Sequence, residues 1–225
     1  MVYIWGVNMK KLVIFGFEGT LADTSPGVLY CLNRTALTMG YAPVDRDALY
    51  GVMDEHLKYA LKKLYNMKDD EIDYAVSYYS KLYSLKGKEM FMFYDGTVDM
   101  LKKLKENGCK LAVATKKHRM FAGDMLQLYK TADLFDAVCA TDVHTHLEKS
   151  DLLLRACEQT GVSVEDSIFI GDSSSDAEGA SLIGMDFAAV LYGWGFKTKE
   201  DAEKYNTSIC FKSASEICAG LLHIN

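Results

Sequence analysis

The six cysteines of this 225-residue chain, Cys31, Cys109, Cys139, Cys157, Cys210 and Cys218, include no CxxC pair. That absence removes the spacing used by zinc sites and dithiol redox motifs, and the apolar settings of all six read as reduced core thiols. No apolar stretch approaches the roughly 20 residues of a membrane span. The leading MVYIWGVN lacks the charged start of a signal peptide, so a cytoplasmic protein without membrane contact is expected. Met9 directly precedes KKLVIF, which leaves residues 1–8 as a start-site extension or loose tail. Basic residues are also short, with 25 Lys and Arg against 31 Asp and Glu for a net charge of −6. With no basic stripe, nucleic acid is excluded as the expected partner and small molecules take its place. Internal repeats, low-complexity tracts and long linkers are missing as well. What remains is ordinary globular composition, 49% hydrophobic and 25% charged, long enough for one large core plus a small accessory domain.

From residue 94 onward helical patterns alternate with short apolar runs: TVDMLKKLKENG then CKLAVAT, RMFAGDMLQLYK then FDAVCAT, KSDLLLRACEQTG then SIFIGD, and SDAEGASLIG then DFAAVLYG. This alternation predicts an α/β fold, a doubly wound parallel sheet with covering helices. Gly108, Gly161 and Gly184 each follow a helical pattern and precede a strand, as residues that close helices do. Between the first strand and residue 94 only helices are expected: Pro26 to Met39, roughly Asp54 to Tyr65, and Asp69 to Lys86. They form a small helical insert over 25–89, with the α/β core over 9–24 and 90–225. Thr24 or Ser25 before Pro26 is a helix start, because a hydroxyl can cap the free amides and proline suits the first turn. Ile72, Tyr74, Tyr78, Tyr79, Leu82 and Tyr83 occupy more than one face of the third helix, which predicts a helix sandwiched between other elements. The tyrosines serve packing or line a pocket.

Four segments carry the chemistry: FGFEGTLADT at 15–24, LAVATKK at 111–117, Lys149 opening a helix, and FIGDSSSD at 169–176. Three end predicted strands and so converge on one sheet edge, where open α/β sheets bind ligands. Each has a plain reading as well. GDSSSD can be a solvated turn with a helix cap, Thr115 a strand terminus, and Lys149 a solvated helix residue. His144 and His146 in DVHTHLEK stand in a polar loop with no further metal partner and read as surface residues. Asp95 in FYDGTVDM repeats a DGT tripeptide, yet a turn and helix cap explain it at the return from the insert.

Taken together, in this order and over nearly the whole chain, the four segments resemble the haloacid dehalogenase superfamily. They are most similar to its phosphatases with a small helical cap after the first strand. The cap and the run AVLYGWG resemble the phosphoglycolate phosphatase and 5′-nucleotidase-like branch. The resemblance implies that Asp172 coordinates Mg²⁺ with Asp176 supporting the shell and the Glu18 carbonyl as a further ligand. It implies that Thr115 and the following amides hold a phosphoryl oxygen, with Lys116 and Lys117 adding charge nearby. Lys149 would neutralise the phosphate and order the nucleophile. A cap that opens and closes over the site is implied too, with hinges at Met90 to Tyr94 and Thr24 to Pro26, and Met90 to Phe93 flooring the pocket.

The first loop departs from the pattern. The family sequence is DxDGT, in which the first aspartate attacks phosphorus and the second is acid and base. Here those positions hold Gly16 and Glu18. Glycine offers nothing with which to form a phosphoenzyme. On a continued strand Glu18 would sit roughly 6.6 Å from position 16, too far for one extra methylene to bridge. Losing the carboxylate at 16 also weakens magnesium binding and reduces repulsion toward a phosphate dianion. The expected function is a degenerate or strongly impaired hydrolase that binds a small phosphorylated metabolite. The alternatives are an active phosphoglycolate phosphatase-like or nucleotidase-like hydrolase and a non-catalytic interaction scaffold.

Overall fold

In a computed structural model, residues 10–53, 55–142, 147–205, 207 and 209–222 are described. The chain divides into two compact units, Met1–Leu21 with Tyr94–Asn225, and Ala22–Phe93.

The first unit is built on a parallel sheet of six strands. The apolar runs seen in the sequence become β1 (Leu12–Phe15), β4 (Lys110–His118), β5 (Ala137–Thr141), β6 (Ser167–Gly171) and β7 (Asp186–Val190), and a two-residue strand too short to show as a run, β8 (Cys210–Phe211), joins them. Their order is β5-β4-β1-β6-β7-β8 and every pairing is parallel. The chain thus winds outward from β1 through β4 and β5, then returns to the other side of β1 with β6. That reversal leaves a crevice at the carboxyl ends of the central strands, the place where doubly wound sheets bind ligands. Burial on both faces explains the continuous apolar character of β1, whose four residues are all buried. Leu12 and Ile14 face a core shared with α7 (Lys149–Thr160) and α8 (Ser174–Leu182), where Leu152, Leu153, Ala156 and Ala180 meet Phe169. Helices α5 (Thr97–Glu106), α6 (Arg119–Leu128) and α10 (Ala214–Leu222) complete the cover, with the short α9 (Lys199–Glu203) between β7 and β8. Gly108, Gly161 and Gly184 have φ of +86°, +66° and +67°, the left-handed backbone expected of residues that close helices.

The second unit holds β2 (Ala22–Asp23), α1 (Ser25–Thr38), α2 (Arg46–Tyr50), α3 (Leu57–Tyr65), α4 (Asp69–Leu85) and β3 (Met92–Phe93). Its core joins Leu32, Ala36, Leu49, Leu61, Tyr65 and Ile72. Four expectations are corrected here. The stretch before residue 94 does not hold helices only, since Ala22 and Asp23 pair antiparallel with Phe93 and Met92. The five-residue α2, capped by the Asp45 side chain on the Ala48 amide, was not foreseen, because it is too short to show a period. Helix α1 starts where expected, at Ser25 with Thr24 in the cap position and Pro26 in the first turn, but neither hydroxyl caps it: the Asp23 carboxylate accepts from the Ser25 amide at 2.9 Å, and the buried Ser25 hydroxyl has no partner among the described residues. Helix α4 is not sandwiched, since it buries Ile72, Ala75 and Tyr83 while Tyr74 is 60% exposed.

Candidate functional site

The residues of the four sequence-predicted segments through Leu21 and from Leu111 onward belong to the first unit, with Gly16 and Glu18 after β1, Thr115 and Lys116 on β4, Lys149 at the start of α7, and Asp172 and Asp176 after β6. Met90 to Phe93, expected to floor the pocket, belong to the second unit. Phe15 is in register with Val113 and Ile170, and the Gly16 amide donates to the Ile170 carbonyl at 2.8 Å. Strand β1 stops at Phe15, so Gly16 to Gly19 form a loop. This corrects the strand spacing assumed for Glu18. Gly19 takes φ +74°, and a Cβ there would run into the Asp172 carboxylate. The chain turns at this point because only glycine permits both the backbone angle and the approach.

Position 16 is not an empty socket. A Cβ built on Gly16 would lie 2.8 Å from the Thr20 hydroxyl oxygen, and that hydroxyl donates to Asp172 Oδ1 at 3.2 Å. Asp172 is buried at 3% exposure, and its Oδ2 accepts from the Trp194 and Gly195 amides at 2.9 and 3.2 Å. Its carbonyl accepts from the Phe196 amide at 2.7 Å. Cβ atoms on Gly193 or Gly195 would collide with Asp172, which explains both glycines of the GWG run. Tyr192 beside them donates to the Thr20 carbonyl at 3.0 Å, and burial followed by the Asp172 charge raises its phenol above the usual range. In the sequence, segment 192–196 stands out only as a family feature. Its two glycines around an aromatic residue were the available signal for a close backbone approach.

Asp176 stands in the first turn of α8, whose cap Ser173 accepts from the Asp176 amide. Its Oδ2 accepts from the Asp172 and Ser173 amides at 3.1 and 3.3 Å, and its Oδ1 pairs with Lys149 Nζ at 2.7 Å. Both partners are nearly buried, at 11% for Lys149 and 5% for Asp176. Lys149 opens α7, and its ammonium also lies 3.5 Å from the Ala114 carbonyl and 5.6 Å from the Phe169 ring centre. Gly179 of α8 makes room for the lysine stem, since a Cβ there would sit 2.6 Å from Lys149 Cβ.

Strand β4 runs to His118, three residues beyond the expected end, with a register shift between Thr115 and His118. The buried Thr115 hydroxyl accepts from the Lys117 amide at 3.1 Å. The two lysines then part. Lys116 is 43% exposed and pairs with Glu148 at 2.9 Å, whereas Lys117 is 7% exposed and pairs with Glu18 at 2.6 Å. Asp95 lies exposed in the turn before α5, with Gly96 as the helix cap. His144 and His146 fall outside the described residues.

The family pattern calls for a magnesium ion, and the side chains in place do not fit a resident one. Asp176 is committed to Lys149 and two amides, and Asp172 to two amides and a hydroxyl. Among the described residues no three acidic, histidine or cysteine side chains cluster as metal ligands. Mg²⁺ needs hard oxygen ligands, and Gly16 supplies no side-chain oxygen.

Fold and site together define a doubly wound α/β protein with an acidic, lysine-bearing site at its central strand ends. The chain belongs to the haloacid dehalogenase-like hydrolase family, which residues 13–190 match. It is 27% identical over 223 residues to phosphoglycolate phosphatase of Psychrobacter arcticus, covering 95% of this chain and 96% of that protein. It is 26% identical over 206 residues to tyrosine-protein kinase PtkA of Mycobacterium tuberculosis, covering 91% of this chain and 69% of the relative. Among solved structures, a haloacid dehalogenase-like family hydrolase from Streptococcus pneumoniae superposes with a TM-score of 0.85 at 24% identity, covering 93% of this chain and 97% of its own. No helix among the described residues is long and apolar enough to cross a membrane.

Proposed function

We propose that this chain binds the phosphate group of a small metabolite and hydrolyses it poorly or not at all. One observation carries the reading: the carboxyl end of β1 presents Gly16, while Glu18, the nearest acid in that loop, is turned onto Lys117. A phosphomonoester needs an attacking group on phosphorus, and no side chain at position 16 can supply one. The rest of the arrangement suits anion binding. Thr115 offers a hydroxyl, while Lys149 is held by Asp176 and braced by α7 and α8. In this reading Lys116 contributes long-range charge, Asp172 holds the 192–196 segment in place, and magnesium binds weakly, as a hydrated ion. The free cysteines accord with a cytoplasmic location.

The test is turnover measured beside binding. With magnesium present, phosphate release from a panel of small esters should fall below that of an intact relative by up to about 10⁶-fold, the scale of losing a nucleophile. Inorganic phosphate should still give heat in calorimetry, and Lys149→Met should remove it. Release at ordinary enzymatic rates of about 1 to 10³ per second, abolished by Lys149→Met, would establish the active hydrolase that the phosphoglycolate phosphatase relatives suggest. Absence of both turnover and phosphate heat would establish a scaffold.

A further inference from the structure

The acid at position 18 and the buried lysine facing it form a unit that the family pattern does not predict. We propose that Lys117 is a phosphate-binding cation of this site and that Glu18 is its built-in competitor, occupying the ammonium until a phosphate dianion displaces it. The proposal deepens the phosphate-binding reading and rests on it.

The asymmetry of the pair carries the argument. Lys117 is 7% exposed, and Glu18, 2.6 Å away, is 30% exposed. A buried ammonium is costly without an anionic partner, so this lysine has to hold an anion in every state of the site. A carboxylate at the water boundary has no such requirement. Glu18 can swing into solvent at little desolvation cost, whereas Lys117 cannot follow it. Whatever replaces Glu18 must bring negative charge, and a phosphate monoester brings more charge and more acceptor oxygens than a carboxylate. Two anions cannot share one ammonium in a partly dry site without repelling each other, which makes the exchange competitive. Geometry favours Lys117 over its neighbour: Lys116 is half exposed on Glu148, while the Lys117 amide is tied to the Thr115 hydroxyl at 3.1 Å, inside the strand-end cluster.

The experiment is a double-variant cycle read by calorimetry with inorganic phosphate on the full chain. Glu18→Gln removes the competitor and should tighten phosphate binding roughly tenfold, the worth of one charged hydrogen bond released for the ligand. Lys117→Met should weaken binding, and in its background Glu18→Gln should change affinity less than about twofold, the sign of coupled neighbours. Lys117→Arg should keep the Glu18→Gln gain. Lys117→Gln replaces Lys117→Met if the latter does not fold, as judged by circular dichroism. Unchanged or weaker binding in Glu18→Gln, or an equal gain without Lys117, would overturn the competitor while leaving the phosphate-binding reading intact. A cycle in which no protein binds phosphate, with Lys149→Met indistinguishable from the rest, would overturn both.

Discussion

At the scale of single residues, Gly16 controls what the site can do, and restoring its carboxylate is the direct trial. The backbone permits it, since Gly16 is not among the described residues with positive φ. The obstacle is Thr20: an added Cβ would lie 2.8 Å from its hydroxyl, so that hydroxyl must rotate and give up its 3.2 Å bond to Asp172. Gly16→Asp should therefore cost about 1 to 3 kcal/mol of stability in denaturant titration, as crowded substitutions do. It should also bring partial phosphatase activity and the first saturable heat of magnesium binding. Gly16→Asp with Glu18→Asp should recover more, because the second change returns an acid of the right length and releases Lys117. Glu18→Asp alone should recover nothing, since an acid cannot serve where nothing attacks. A folded double variant silent toward a wide panel of small esters would mean that Thr20 and the 192–196 segment have repacked the site beyond repair by its carboxylates.

Among the elements, the contact between α7 and α8 holds the site lysine. Gly179→Ala would press a methyl group against the Lys149 stem, 2.6 Å from its Cβ, and push the first turn of α7 away from Asp176. Expected outcomes are about 1 to 3 kcal/mol of destabilisation and weaker phosphate binding in calorimetry, with Thr115 and Lys117 untouched. Stability lost with phosphate affinity unchanged would show that Lys149 finds its partner without the helix. The sequence already revealed these elements, because buried parallel strands read as apolar runs and their helices end in glycine. It hid what depends on distant pairing. Nothing local to VIFGFEG shows that Glu18 meets a lysine on β4, or that Asp172 accepts from Trp194 and Gly195. Lys116 and Lys117 are alike as neighbours in a chain, and their places on β4 leave one outward on Glu148 and the other buried on Glu18.

Across the whole molecule the six free cysteines are reporters, with Cys31 in the second unit and the other five in the first. Burial pushes the Cys31 thiol up to about 12 and that of Cys139 up to about 11. The thiolate is the reactive form, so a thiol reagent at pH near 8 should label the native protein slowly and faster as pH rises. Cys210, only partly buried, should react first. In a denaturant series followed by mass spectrometry, Cys31 reacting at a lower concentration than Cys139 would show that the units unfold separately, and coincident labelling would show one cooperative fold. The crossings between the units have a further consequence. The Tyr94 amide donates to the Leu21 carbonyl within the first unit, and Ala22 pairs with Phe93 within the second. Both ends of the segment 22–93 therefore meet at one point, as the ends of a cassette do. Splicing Leu21 to Tyr94 through a short turn would close the sheet-bearing unit without displacing any of its strands, and another insert with adjacent ends could be grafted at the same seam.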